Sequence, residues 1–255
     1  MNERECASLD DFLKNVSKDY PITDAVSWQP AFRGQHDARF TLQTTLERFE
    51  PNVPVREYFR FIHNSAPELR SFSSKDWSLP SLLPIFKSLD EFWKAHAHFE
   101  ALIYLRHYGA PSPLLDWSQS PYVAAYFAFS EASTASHVSI YCYRDSGKDY
   151  WNGEAVIKYV DPVVSKADRR HYAQQSCYTV CMKDVDVDGC GSGVAWSSHE
   201  EADDSGLTKY ILPYSIRREA LKQLQLMNIN AFTLYGSEEG LVRHLAIKHL
   251  ILQET

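Results

Sequence analysis

Three short stretches place reactive polar groups among apolar or aromatic neighbours. The first is Phe32-Arg33-Gly34-Gln35. A guanidinium is planar, permanently charged and rich in donors, so Arg33 suits either a structural ion pair or an anionic ligand. Gly34 beside it lets the backbone turn or come close to another group. The second stretch, residues 106–129, carries His107 and Tyr108, then Asp116, Trp117, Ser118 and Ser120. An imidazole and a carboxylate can move protons, and the first amides of a helix opening at Ser120 attract an anion. The third, residues 171–180, presents Gln174 and Gln175 ahead of a strand-like run. Each residue also has a plain structural use: Asp116 satisfies backbone amides, Trp117 packs, Ser120 caps. Taken together, the residues of the second stretch point to a site, and Arg33 is either a structural clamp or the holder of a ligand.

Other chemistry finds less support. Asp184, Asp186, Asp188 and Gly189 begin like a calcium loop, but its twelfth position is Ala195 where a bidentate Glu belongs, so this tract reads as a solvated acidic loop. His96 and His98 are two apart on a helical segment and do not share a face. No nucleophile elbow, zincin helix or phosphate-binding glycine loop occurs. A hydrolase using Asp116 and His107 as acid and base lacks a clear nucleophile or metal. No metal site is expected.

The elements that must position these groups follow from periodicity and punctuation. Ser8 caps a short amphipathic helix. Residues 25–34 read as extended, with Pro30 limiting them to an edge or bulge. A helical turn near residues 44–50 is stopped by Pro51 and Pro54, and a helix follows over 56–69. Residues 74–86 are a Pro-punctuated loop. The stripe Phe92, Trp93, Phe99, Leu102, Ile103 and Tyr108 marks one long helix, started by Ser88 or Asp90 and ended by Gly109. Residues 110–121 read as a loop or tight connection into a helix with Ser120 at N-cap and Pro121 at N1. Strands are expected at 137–143, 155–160 and 176–182, with Cys177 and Cys181 on one strand face in the core. Residues 183–206 read as a long surface loop, and the tail as strand, helix, strand, helix. The expected fold is α+β, one domain over 1–255, with a helical N-terminal half and a mixed or antiparallel β core that includes the Arg33 segment.

Composition narrows the partners. The 255 residues carry a formal net charge of −7, which argues against nucleic-acid binding by the bulk field. The longest apolar run is far short of a membrane span, and the polar first ten residues lack the apolar core of a signal peptide. Five cysteines without a CxxC pair suit reduced thiols in a cytoplasmic protein.

The segments AFRGQ, HYGAPSPLLDWSQSPYVAAYFA and QQSCYTV, with the tail ending GSEEGL, resemble the FRG family, named for its Phe/Tyr-Arg-Gly motif. The likeness runs over about residues 26–245. Three positions depart from the family pattern: Ser112 and Pro113 stand where it has Thr and Arg, and Ser176 where it has Gly. The resemblance implies a divergent ADP-ribosyltransferase-like fold acting on NAD as co-substrate, of the kind found in prokaryotic defence or toxin–antitoxin conflict, with a protein target or regulator as a further partner. Carried over to this chain, it implies that Arg33 holds the NAD phosphates or ribose. His107, Tyr108, Trp117 and Ser118 then line the pocket beside Gln35 and Gln174. Asp116 and Gln175 complete the catalytic set, and Glu238 or Glu239 is a poorer source of the carboxylate. The alternative implication is a non-catalytic module that binds a nucleotide or protein in the same cleft.

Overall fold

The computed structural model describes residues 1–21, 30–73, 86–94, 97–145, 154–160, 169–187, 191–202 and 206–253. In chain order the elements are β1 (Asn2–Glu5), α1 (Leu9–Asp19), β2 (Ala31–Gln35), α2 (Thr45–Phe49), α3 (Val55–Ser73), α4 (Leu89–Lys94), α5 (Ala97–His107) and β3 (Leu114–Ser118). There follow α6 (Pro121–Ser130), β4 (His137–Tyr143), β5 (Val156–Val160), α7 (Arg169–Ala173), β6 (Ser176–Val187), β7 (Gly191–Trp196), β8 (Leu207–Pro213), α8 (Arg217–Leu226), α9 (Ala231–Tyr235) and α10 (Glu238–Ile247). The fold is α+β.

One sheet runs β1-β8-β4-β2-β3-β6-β5, with β7 paired to the far half of β6. It is mixed, because β1 lies parallel to β8 while the other pairs are antiparallel. Register sorts the side chains onto two faces. Phe32, Ile140, Cys142 and Tyr210 pack under α1, α6 and α8. Leu114, Tyr178, Val180 and Met182 share that face and pack under α3, α4 and α5. The opposite face carries Ala31, Leu115, Trp117, Tyr141 and Cys177 in a third cluster. The two helical groups thus stand side by side on one face, and the seam between them falls over β2 and β3.

Local signals set several boundaries. Ser8 accepts from the Asp11 amide, and Ser120 from that of Val123, with Pro121 opening α6. Gly109, at φ 84, ends α5: its amide reaches the Arg106 carbonyl, and the Ala110 amide that of Leu105. The Ser88 hydroxyl accepts from Glu91 at the start of α4. Residues 95 and 96 lie outside the described set, as do most of the Pro-punctuated stretch at 74–85 and the beginning of the extended segment at 22–29.

Four expectations are corrected. Residues 114–118 are a strand, not a connection: Leu114 and Leu115 enter cores on opposite faces, and pairing with β6 outweighs the flanking prolines. β2 is an interior strand between β4 and β3, because Pro30 falls just before the first paired residue and removes no ladder donor. The proposed surface loop at 183–206 holds the end of β6 and all of β7, a hairpin registered from Met182 with Trp196 to Val187 with Gly191; the alternation Asp184-Val185-Asp186-Val187 is a period of two. The second strand expected in the tail is α9, because Asn230 and Thr233 form a reciprocal capping box and Gly236 closes the helix at φ 60. The N-terminal strand β1, polar and exposed throughout, was not anticipated.

Candidate functional site

A cavity of about 410 Å³ opens over the β2–β3 seam. Strands β2 and β3 share a single pairing, Phe32 with Ser118, and then part. Arg33 starts from the opposite face of the sheet, where Trp117 lies, and its guanidinium fills the gap. Its Nη1 donates to the Asp116 carbonyl oxygen at 2.7 Å and stands 4.0 Å from the Asp116 carboxylate. Arg33 therefore splints two strands and borders the cavity with the same group.

Asp116 itself belongs to Arg106. That guanidinium binds it through Nε at 3.1 and 3.0 Å and through Nη2, while Nη1 donates to Thr45 Oγ1 at 2.9 Å. Burial pushes the Asp116 carboxyl pKa up, but the Arg106 charge and hydrogen bonds, helped by Arg33, outweigh it and hold the carboxyl below its usual range. Burial likewise draws the Arg33 pKa down, against the pull of Asp116. The side chain of Asp116 keeps 41% of its exposure, on the cavity side. Pro113 brings no cation to this stretch, and the guanidinium that holds the carboxylate comes from Arg106, at the end of α5. Ser112 is fully buried, and its hydroxyl accepts from the Leu114 amide.

His107 lines the next stretch of wall. Its Nε2 lies 2.8 Å from the Tyr178 hydroxyl, which is also 3.3 Å from Nδ1 of His171. One hydroxyl carries a single proton between two imidazoles, so Tyr178 can donate to only one of them. Burial raises the Tyr178 pKa, with Asp116 adding to the rise, so the phenol stays protonated. Ser118 accepts from the Ser120 amide and donates to the Gln174 carbonyl, tying β3 to the turn before β6. Gln174 borders the cavity and donates to the Leu234 carbonyl.

The seam thus brings together Arg33, His107, Asp116, Ser118 and Gln174. It does not gather the remaining expected residues. Trp117 touches the cavity's edge, but its indole is 3% exposed on the other face of β3 and donates to Thr179, because strand side chains alternate. Gln35 lies on that far face too and donates to the Thr41 carbonyl. Tyr108, one residue beyond α5, is 68% exposed and packs at a tilt against Tyr104. Gln175 sits at φ 47 in the turn, exposed, with its carbonyl accepting from Gln119. Gln175 takes the left-handed backbone, and Ser176 follows it as the first residue of β6. Arg106, Arg170, Phe127 and Tyr178 are further wall residues. Arg106, Phe127 and Tyr178 stand in the same stretches as the expected residues, whereas Arg170 lies just before the third stretch and carries no local signal that separates it from a surface arginine.

Of the charged side chains on the described walls, three are arginines and one is an aspartate. This α+β protein therefore holds a cavity with an excess of positive charge on its described walls, at the seam of its sheet. The family model for the FRG domain matches residues 29–137, from just before β2 to the start of β4, and the chain carries an FRG domain there. Neither a curated protein nor a solved structure matches the chain. Arg170, Gln174, Ser176 and Tyr178 lie beyond the matched residues.

Proposed function

We propose that the cavity is a nucleotide site that takes NAD, and that the protein acts as an ADP-ribosyltransferase-like enzyme on the N-glycosidic bond to nicotinamide. The observation that carries this reading is the convergence of Arg33, Arg106 and Arg170 on one cavity, with Asp116 the sole carboxylate on its described walls, in a chain of net charge −7. Guanidiniums in a walled cavity attract and orient a diphosphate far better than they would in open water. Asp116 keeps its exposure toward the cavity while held by Arg106, so a fixed negative charge is available to stabilise oxocarbenium character at the ribose. Gln174 borders the cavity and Gln175 does not, so the role of holding a ribose hydroxyl is assigned to Gln174.

A second reading, a nucleotide-binding module without turnover, is favoured by one fact: Arg106 already matches the charge of Asp116. The two readings share the ligand and differ in the reaction. Purified protein is titrated with NAD, and nicotinamide release and transfer of labelled ADP-ribose are followed. Arg170→Ala is expected to weaken binding, and Asp116→Asn to abolish release. Binding without release selects the module. No NAD binding by the wild-type protein rejects both.

A further inference from the structure

The cationic walls account for phosphates but not for the cavity's apolar side, where Phe127 is half-buried and borders the space. Its position is set by the FRG motif. A Cβ on Gly34 would lie 1.9 Å from the Ala124 carbonyl oxygen and 2.6 Å from the Ala128 amide, so α6 rests directly on the backbone of β2. With Ala124 and Ala128 against the strand, Phe127 is carried on the adjoining strip of the helix, where the cavity lies. One residue outside the lining holds this wall. Tyr235, the last residue of α9, meets Phe127 edge-on at 6.4 Å and 85°. The guanidinium of Arg170 lies 4.5 Å from the centre of the same tyrosine ring, and that of Arg243 lies 6.0 Å from it. Tyr235 therefore locks an aromatic wall and a cationic wall to each other.

We propose that Phe127 is the platform on which the flat heteroaromatic base of the ligand packs, that Arg170 beside it takes the adjoining phosphate, and that Tyr235 is the positioning residue that keeps the two in register. The proposal rests on the nucleotide reading and adds to it that the ligand is recognised by its base as well as its charge. Inorganic polyphosphate fills the cationic part alone, whereas NAD uses both.

The test is calorimetric titration of the whole chain with NAD and with inorganic pyrophosphate, for wild type, Phe127→Leu, Phe127→Tyr, Tyr235→Phe and Tyr235→Ala. Leucine keeps the apolar volume that packs into the core and removes only the aromatic face. Losing a base-stacking contact should weaken NAD about tenfold in Phe127→Leu and leave pyrophosphate within about twofold. Phe127→Tyr and Tyr235→Phe should retain NAD binding, and Tyr235→Ala should weaken both ligands, because Arg170 loses its support. NAD affinity unchanged in Phe127→Leu, or NAD and pyrophosphate weakened alike, overturns the platform and leaves the nucleotide site standing. A wild-type protein that binds neither ligand overturns the nucleotide reading itself.

Discussion

At Asp116 three charges share a few ångströms: its carboxylate, the bidentate guanidinium of Arg106, and that of Arg33 at 4.0 Å. Removing the anion leaves two arginines facing each other. Asp116→Asn should cost roughly 2 kcal/mol in urea unfolding at neutral pH, below the 3–5 kcal/mol of a fully buried pair because the carboxylate is partly exposed. Its carboxyl titrates below the usual range in the folded protein, so the ion pair stabilises above the ordinary carboxylate pKa and that contribution is lost as pH falls. The gap between wild type and variant should therefore narrow in acid, and a constant gap would show that charge is not its source. On the opposite face, His199 is fully buried against the Thr179 hydroxyl at 2.9 Å. Burial, with Arg33 adding, lowers its pKa from 6.5 to about 3. The unfolded chain binds a proton below about pH 6.5 that the folded protein refuses until about pH 3, so stability drains across that window and not above it. Wild type should lose up to about 1.4 kcal/mol per pH unit there, and His199→Gln should lose less. Equal acid limbs in urea melts of the two proteins would contradict this assignment.

Among the elements, α6 depends on a single missing side chain. Alanine at Gly34 would drive its Cβ into the backbone of Ala124 and Ala128, and neither strand nor helix can yield without repacking a core. Gly34→Ala should destabilise by about 3 kcal/mol or more, read as a large fall in thermal midpoint or as insoluble protein. A variant as stable as wild type would show that α6 does not rest on β2 at this point. Helix starts and stops were legible because their causes are local: Ser8, Ser120, Pro121 and Gly109 act within one turn of chain. β3 was not legible. Its order, Leu114-Leu115-Asp116-Trp117, alternates only against a sheet buried on both faces, where one face is core and cavity and the other is core again. α9 misled for the opposite reason: its Phe, Thr and Tyr favour strands, and the Asn230 capping box decides the matter.

At the scale of the whole molecule, a chain of net charge −7 concentrates arginines in one cavity. Attraction of an anionic nucleotide into it should weaken severalfold as salt is raised from low to about 0.5 M, and a salt-independent NAD affinity would place the ligand away from the arginines. Among the described residues no helix is long and apolar enough to cross a membrane. By itself the sequence determined which stretches meet: the Arg33 segment, the His107–Ser118 stretch and the turn at Gln174 are all at the cavity, because their polar groups are embedded in strands and helix ends that must pair and pack. It also determined the capped helices and the acidic balance of the surface. Only the tertiary structure decided which side chain faces which neighbour. A strand sends successive residues to opposite faces, so Asp116 reaches the cavity while Trp117 turns away, and a one-residue change in register would exchange them. The partner of Asp116 was likewise decided in space, where the end of α5 delivers Arg106 to it and Arg33 meets chiefly its carbonyl. Arg170, Phe127 and Tyr235 come from three helices far apart in the chain, and only the packing of α6, α7 and α9 over one seam makes them neighbours.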